Sequence, residues 1–236
     1  KRMKISKSIT VIIPAYNEEA NLAKAVKNYG EAVGSIFDDY ELIIFNDCSH
    51  DRTGEIANEL ARKNTRVRVV HNKRNMGLGY NFREGAKLST KDYCILFPGE
   101  GEVLGSSIKE VLSHIGEADL IVTYVGNLEE RQLYRNIVSW SFTTLLNVLF
   151  GYNLKYYNGL VLYETKILKN IKMTTNSFAY QAEVLIRLFK KGYSHKEVPF
   201  YVEKTKGTTA FRIKNMIGVF FTVLRLFFEI NILKKV

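Results

Sequence analysis

What most constrains this chain is a fourfold alternation of short apolar runs with amphipathic stretches. Ser8-Ile9-Thr10-Val11-Ile12-Ile13-Pro14 is apolar on both faces, the pattern of a strand buried between two layers of helices. Ala20 to Val33 follows with Leu22, Val26 and Tyr29 at helical spacing. Glu41 to Phe45, Arg66 to Val70 and Tyr93 to Phe97 repeat the strand signal. Thr53 to Lys63 and a segment ending near Ala86 supply the helices between them. Such an alternation predicts an α/β fold, a mostly parallel sheet flanked by helices.

Beyond Gly105 the pattern predicts a helix to His114, a strand over Asp119–Tyr124 and a helix over Arg131–Phe150. A short strand at Gly159–Tyr163, a helix over Ser177–Lys191, a strand at Glu197–Val202 and a helix over Ile213–Leu233 complete it. Pro199 has no backbone donor, which puts the last strand at a sheet edge. No repeat or linker interrupts the 236 residues, so we expect one domain over 1–212 with a C-terminal amphipathic helix over 213–236.

In an open α/β sheet, ligands bind beyond the carboxyl ends of the strands. The fourth run ends there in Phe97-Pro98-Gly99-Glu100-Gly101-Glu102. Its glycines let the backbone turn sharply, and its two carboxylates suit either a solvated acidic turn or a hard divalent cation holding a diphosphate. A net charge of +10 suits anionic partners, or simply solvated surface lysines. Nucleic acid is not expected, because the aromatics sit in apolar runs rather than along a basic stripe. Cys48 and Cys94 have neither metal spacing nor a disulfide framework, which favours a reducing cytoplasm. Lys1 to Ser8 is basic and lacks the apolar run of a secretory signal.

Two helices are unusually apolar. In the last one, Gly218, Thr222, Arg225 and Glu229 form one stripe opposite a wide face of Met216, Ile217, Phe220, Phe221, Leu224 and Phe228. Arg131–Phe150 has the same character and carries Trp140. Either both close the core, or both lie in a membrane interface without crossing it.

Four stretches in order, IPAYNEE (13–19), NDCSHDRT (46–53), NMGLGYNFREG (75–85) and FAYQAEVLIRLFKKGYSHKEVPF (178–200), resemble family 2 glycosyltransferases of the dolichol-phosphate mannosyltransferase-like branch. The resemblance implies a GT-A fold, a UDP- or GDP-linked sugar donor, Mg²⁺ or Mn²⁺, and inversion at the anomeric carbon. It also implies a polyprenyl-phosphate lipid acceptor; with the two apolar helices, the basic charge and the unpaired cysteines, we expect a peripheral position on the cytoplasmic side of a membrane. A saccharide or protein hydroxyl acceptor, or a module that only binds nucleotide, are the alternatives. By the same resemblance Pro14, Ala15, Tyr16, Glu18, Phe45, Asp47, Gly77, Gly99, Glu100 and Lys204 bind the donor. Glu100 and Glu102 hold the metal, although Pro98 stands where the family has its first Asp. Arg131, Arg135 and Gln181 meet the acceptor, and Glu183, Arg131 and Lys204 act in catalysis. Tyr124 stands where the family has an arginine. Read on their own residues, Asp47 is equally a turn or cap residue, and Glu183 a base, a positioning group or a capping carboxylate.

Overall fold

The computed structural model describes residues 5–202 and 213–234. Its seven strands are β1 (Ile9–Ala15), β2 (Tyr40–Asn46), β3 (Val67–His71), β4 (Tyr93–Leu96), β5 (Leu120–Val125), β6 (Val161–Glu164) and β7 (His195–Phe200). They form one sheet in the order β3-β2-β1-β4-β6-β5-β7. The strand side-chain period of two divides each buried run between two cores. Ile9, Val11 and Ile13 of β1, with Leu42 and Ile44 of β2, face the helices α1 (Leu22–Gly34), α2 (Thr53–Lys63) and α4 (Gly105–Ser113). Ile12, Ile43 and Phe45 face the opposite layer. That layer comprises α3 (Leu78–Leu88), α5 (Leu133–Phe150), α6 (Thr165–Lys169), α7 (Tyr180–Lys190) and α8 (Ile213–Phe227).

The expectation of a mostly parallel sheet holds, with one reversal. β6 runs antiparallel between β4 and β5. Two reversals restore direction, so β4 and β5 are parallel to each other. The carboxyl ends of β1 to β5 and β7 therefore all lie at one edge. β7 is an edge strand, paired only with β5, as Pro199 requires.

Some boundaries differ from the periodicity. Arg131 precedes α5 and follows a 3₁₀ turn at Leu128–Glu130, because Gln132 keeps extended backbone before the helix. The five-residue α6 is too short to produce a periodic signal. The last helix changes to a π turn at Phe228–Ile232.

Candidate active site

The loops after β1 and β2 are stitched together by short polar side chains. The Asn17 amide donates to Ser49 Oγ at 3.1 Å, the His50 amide donates to Asn17 Oδ1 at 2.9 Å, and the Glu18 amide donates to Thr53 Oγ1 at 2.7 Å. Asn17 has φ +57°, a left-handed conformation that Asn tolerates better than most side chains. Tyr16 is left exposed at the mouth of the edge, while Ala15 and Phe45 are buried beneath it.

Asp47 lies at the bottom of this edge, almost fully buried. Its carboxylate accepts from the Met76 amide at 2.8 Å, the Gly77 amide at 2.9 Å and Asn72 Nδ2 at 2.7 Å. It makes no hydrogen-bonding contact with the start of α2, where the Thr53 amide instead donates to Asp51 at 2.9 Å. Asp47 thus orders the loop after β3. Gly77 has φ +87°, and a Cβ there would stand 2.7 Å from the Asn176 carbonyl, so only glycine fits.

The acidic turn follows β4. Pro98 carries no metal-binding group, but its carbonyl accepts from the buried Tyr29 hydroxyl at 2.7 Å. The Gly99 amide donates to Pro14 O at 3.1 Å, clamping this turn to the end of β1. A Cβ at Gly99 would stand 2.8 Å from that carbonyl oxygen. Glu100 is exposed and Glu102 half-buried. Burial, then the charge of Glu100, push the Glu102 carboxyl up to about 7, against a pull from Arg135. The Glu18 carboxyl is also raised, by burial and by Glu100 and Asp51, against a hydrogen bond from Asn21. Like charges converge here, and that is the field a bound cation relieves.

Among the described residues no group of three or more His, Cys, Asp or Glu side chains is arranged to enclose a metal ion. Two carboxylates with substrate phosphates completing the shell nevertheless fit Mg²⁺ or Mn²⁺, which bind through few protein oxygens. A cation needs Glu102 ionised, which gives a pH signature. A folded value near 7, above the ordinary 4.5, means Glu102 supports folding below about pH 4.5 and loses that contribution as pH rises through 7. Mn²⁺ affinity moves the opposite way. By calorimetry it should fall about tenfold per unit below pH 7 and level off above it. Glu102→Gln should flatten the profile; an unchanged slope would remove Glu102 from the cation site.

At the carboxyl end of β5 a cavity of about 390 Å³ is lined by Tyr124, Leu128, Arg131, Ile137, Trp140, Lys155 and Tyr156, among others. The Arg131 guanidinium lies 5.7 Å from the Tyr156 ring centroid, and Lys155 Nζ lies 4.2 Å from that of Tyr124. Lys155 was not singled out in the sequence, because it sits in a loop with no motif. It brings a cation to the face of the Tyr124 ring.

Two expected site residues turn inward. Gln181 is buried; its Nε2 donates to the Gly159 carbonyl and its Oε1 accepts from Tyr180 at 3.1 Å. It ties α7 to the chain entering β6 and does not face the cavity. Glu183 is fully buried. It accepts from the Thr174 and Thr175 amides, both at 3.0 Å, and from Thr174 Oγ1 at 2.6 Å. Arg187 and Arg225 approach it at 3.2 and 3.5 Å. A carboxylate so engaged is a framework group rather than an accessible base. Lys204 lies outside the described residues. The chain leading to it is held at Val202, which bridges to Val103, the neighbour of Glu102.

The two apolar helices are only partly covered. α5 buries Thr143, Leu146 and Phe150 and exposes Leu133, Ile137, Trp140 and Val148 at 55–77%. α8 buries Thr222, Val223 and Leu226 and exposes Met216, Ile217, Phe220, Phe221 and Leu224. The helices join where Phe150 meets Phe227 and where Asn231 Nδ2 donates to the Leu149 carbonyl at 2.8 Å. Among the described residues no helix is long and apolar enough to cross a membrane.

Comparison with known proteins is consistent with this architecture. Glucosyl-3-phosphoglycerate synthase from Mycobacterium tuberculosis, solved in complex with UDP, superposes with a TM-score of 0.69 over 95% of this chain and 80% of that one, at 16% identity. Its complex with Mn²⁺, UDP and phosphoglyceric acid gives 0.68 over 94% and 79%, at 17% identity. The expected GT-A fold is thereby established. In sequence, the chain is 21% identical to Glycosyltransferase AglD of Haloferax volcanii over 97% of this chain but 38% of that protein. It is 26% identical to dodecaprenyl-phosphate galacturonate synthase of Rhizobium johnstonii over 71% of this chain and 51% of that protein. Undecaprenyl-phosphate mannosyltransferase of Micrococcus luteus is 23% identical, over 84% of this chain and 85% of that one. The glycosyl transferase family 2 model matches residues 10–178, and the chain belongs to that family.

Proposed function

We propose that the protein transfers a sugar from a nucleoside diphosphate to a polyprenyl-phosphate lipid while seated on a membrane surface. The observation that carries this reading is a juxtaposition at one sheet edge. The acidic turn, the cavity with Arg131 and Lys155, and the start of an exposed apolar helix all lie there. The names of the relatives from Rhizobium johnstonii and Micrococcus luteus, both polyprenyl-phosphate transferases, point the same way.

In this reading the loops after β1 and β2 hold the nucleoside, with Asp47 keeping the Met76–Gly77 loop in position against it. Glu100 and Glu102 hold a divalent cation, which when bound neutralises charge on the leaving diphosphate. Arg131 and Lys155 hold the acceptor phosphate, and arginine suits its paired oxygens. An acceptor phosphate oxygen attacks the anomeric carbon, the bond to the diphosphate oxygen breaks, and configuration inverts. A phosphate is already ionised, so no base is required, in keeping with the engagement of Glu183 inside the fold. The charge of Arg135 acts on Glu102 and so couples α5 to the acidic turn. The exposed faces of α5 and α8 enter the headgroup layer beside the acceptor.

The test combines UDP- and GDP-linked sugars, Mn²⁺, and vesicles of anionic lipid with or without polyprenyl phosphate. Sugar should appear on the lipid only when that phosphate is present, and the protein should float with the vesicles. Exchanging Phe220 and Phe221 for aspartate should abolish flotation while leaving nucleotide binding intact. Transfer to a saccharide hydroxyl instead, or a protein that stays with the soluble fraction at low salt, would sink the lipid-acceptor assignment.

A further inference from the structure

The polar stripe of α8 packs mainly against the protein, with Arg225 partly exposed. It is the side by which the helix is attached to the protein, and it is attached to the segment that walls the donor loop. Thr222 is buried, with its hydroxyl 2.8 Å from Thr175 Oγ1 and 3.2 Å from Ser177 Oγ. One turn on, Arg225 approaches Glu183, and a further turn on Glu229 pairs with Arg187. Glu183 in turn accepts the Thr174 and Thr175 amides. Residues 174–177 are therefore gripped from two directions, by α8 and by the carboxylate of α7.

The other side of this segment meets the loop after β3. The Gly79 amide donates to the Asn176 carbonyl at 3.2 Å. A Cβ at Gly79 would stand 2.5 Å from the Thr175 carbonyl, and one at Gly77 would stand 2.7 Å from that of Asn176. Two glycines in three positions thus let the donor loop lie flat against this backbone. The loop's far side is held by Asp47, whose own amide donates to the Ala15 carbonyl at 2.9 Å. A continuous path of hydrogen bonds and backbone contacts runs from α8 through 174–177 to Gly77 and Gly79, and from there to Asp47 and the end of β1.

We infer that Thr222, supported by Arg225, is a positioning residue for the donor site, and that seating of α8 sets the loop that receives the nucleotide. The nucleotide part of this inference rests on the function proposed above; the loop part does not. The Thr222 hydroxyl donates to the Gly218 carbonyl of its own helix at 2.7 Å, so across the interface it is the acceptor for Thr175 or Ser177, and valine would leave those hydroxyls without it.

The experiment uses the full chain as wild type, Thr222→Val, Thr222→Ser and Arg225→Gln. Hydrogen exchange is followed at the amides of residues 76–79, and UDP and GDP affinity is measured by calorimetry with Mn²⁺. Thr222→Val is expected to speed exchange at 76–79 about tenfold and to weaken nucleotide binding by a similar factor. Exchange in β1 and β2 should stay unchanged. Thr222→Ser should restore both quantities, which a simple loss of packing would not predict. Arg225→Gln, at a half-exposed site where the variant still folds, should shift them in the same direction. Exchange that rises only within α8 while 76–79 behaves as wild type would overturn the inference. If neither nucleotide binds the wild type, the proposed function fails, and the exchange data still decide the relay.

Discussion

Glu100→Ala is expected to lower metal-dependent sugar transfer by about 10²–10³-fold, the scale typical of losing one preorganised electrostatic contact to a leaving group. Glu100 is exposed at the tip of the acidic turn, and its charge acts on both Glu102 and Glu18. With it gone, one of the two carboxylates proposed to hold the cation would be lost, and with it the charge neutralisation that the cation would supply to the leaving diphosphate. Stability should stay within about 0.5 kcal/mol, since the side chain is not part of the core. Glu102→Ala should be severe but weaker, because Arg135 already offsets part of the charge of that carboxylate. Steady-state transfer assays with Mn²⁺ titration check both. Full activity of Glu100→Ala in excess chelator would end the metal assignment.

Glu183→Ala is expected to destabilise the fold by about 3–5 kcal/mol, the range for removing one partner of a buried ion pair. The alanine would leave Arg187, only 1% exposed, with Glu229 as its remaining carboxylate, and Arg225 without the nearer of its two. It would also strand the Thr174 and Thr175 amides. For a chain of this size the loss corresponds to a drop in Tm of about 6–20 °C. Thermal unfolding checks the figure, and the activity of the surviving folded fraction checks the role. A catalytic base would give the reverse result: an unchanged melting temperature and a collapsed turnover.

These two glutamates separate what a sequence makes legible, the place of Glu100 on an exposed turn, from what it does not, the surroundings of Glu183. Glu100 follows directly from an apolar run ending in a Gly-rich acidic turn, because a buried strand and a tight turn are local properties of a few residues. Glu183 carries an equally legible pattern, a Gln-x-Glu pair at a helix start, yet its environment comes from Arg225 on α8 and from Thr174 and Thr175. Gln181 met the same fate at Gly159. Side-chain direction at a helix start depends on which layer packs over it, and no spacing within the helix records that.

The chain by itself determined the strand–helix alternation, the edge position of β7, the acidic turn and the division of α8 into a polar stripe and an apolar face. Each follows from periodicity or from the backbone chemistry of proline and glycine, which act over a few residues. Only the tertiary structure decided that β6 runs backwards and that Lys155 joins Arg131 in one cavity. It also decided that Asp47 spends its carboxylate on the loop after β3 and that the polar stripe of α8 faces inward. For Asp47 and the stripe of α8 the physical reason is the same. A buried hydroxyl, carboxylate or guanidinium needs a hydrogen-bonding partner more than it needs water, and its partner lies tens of residues away in the chain.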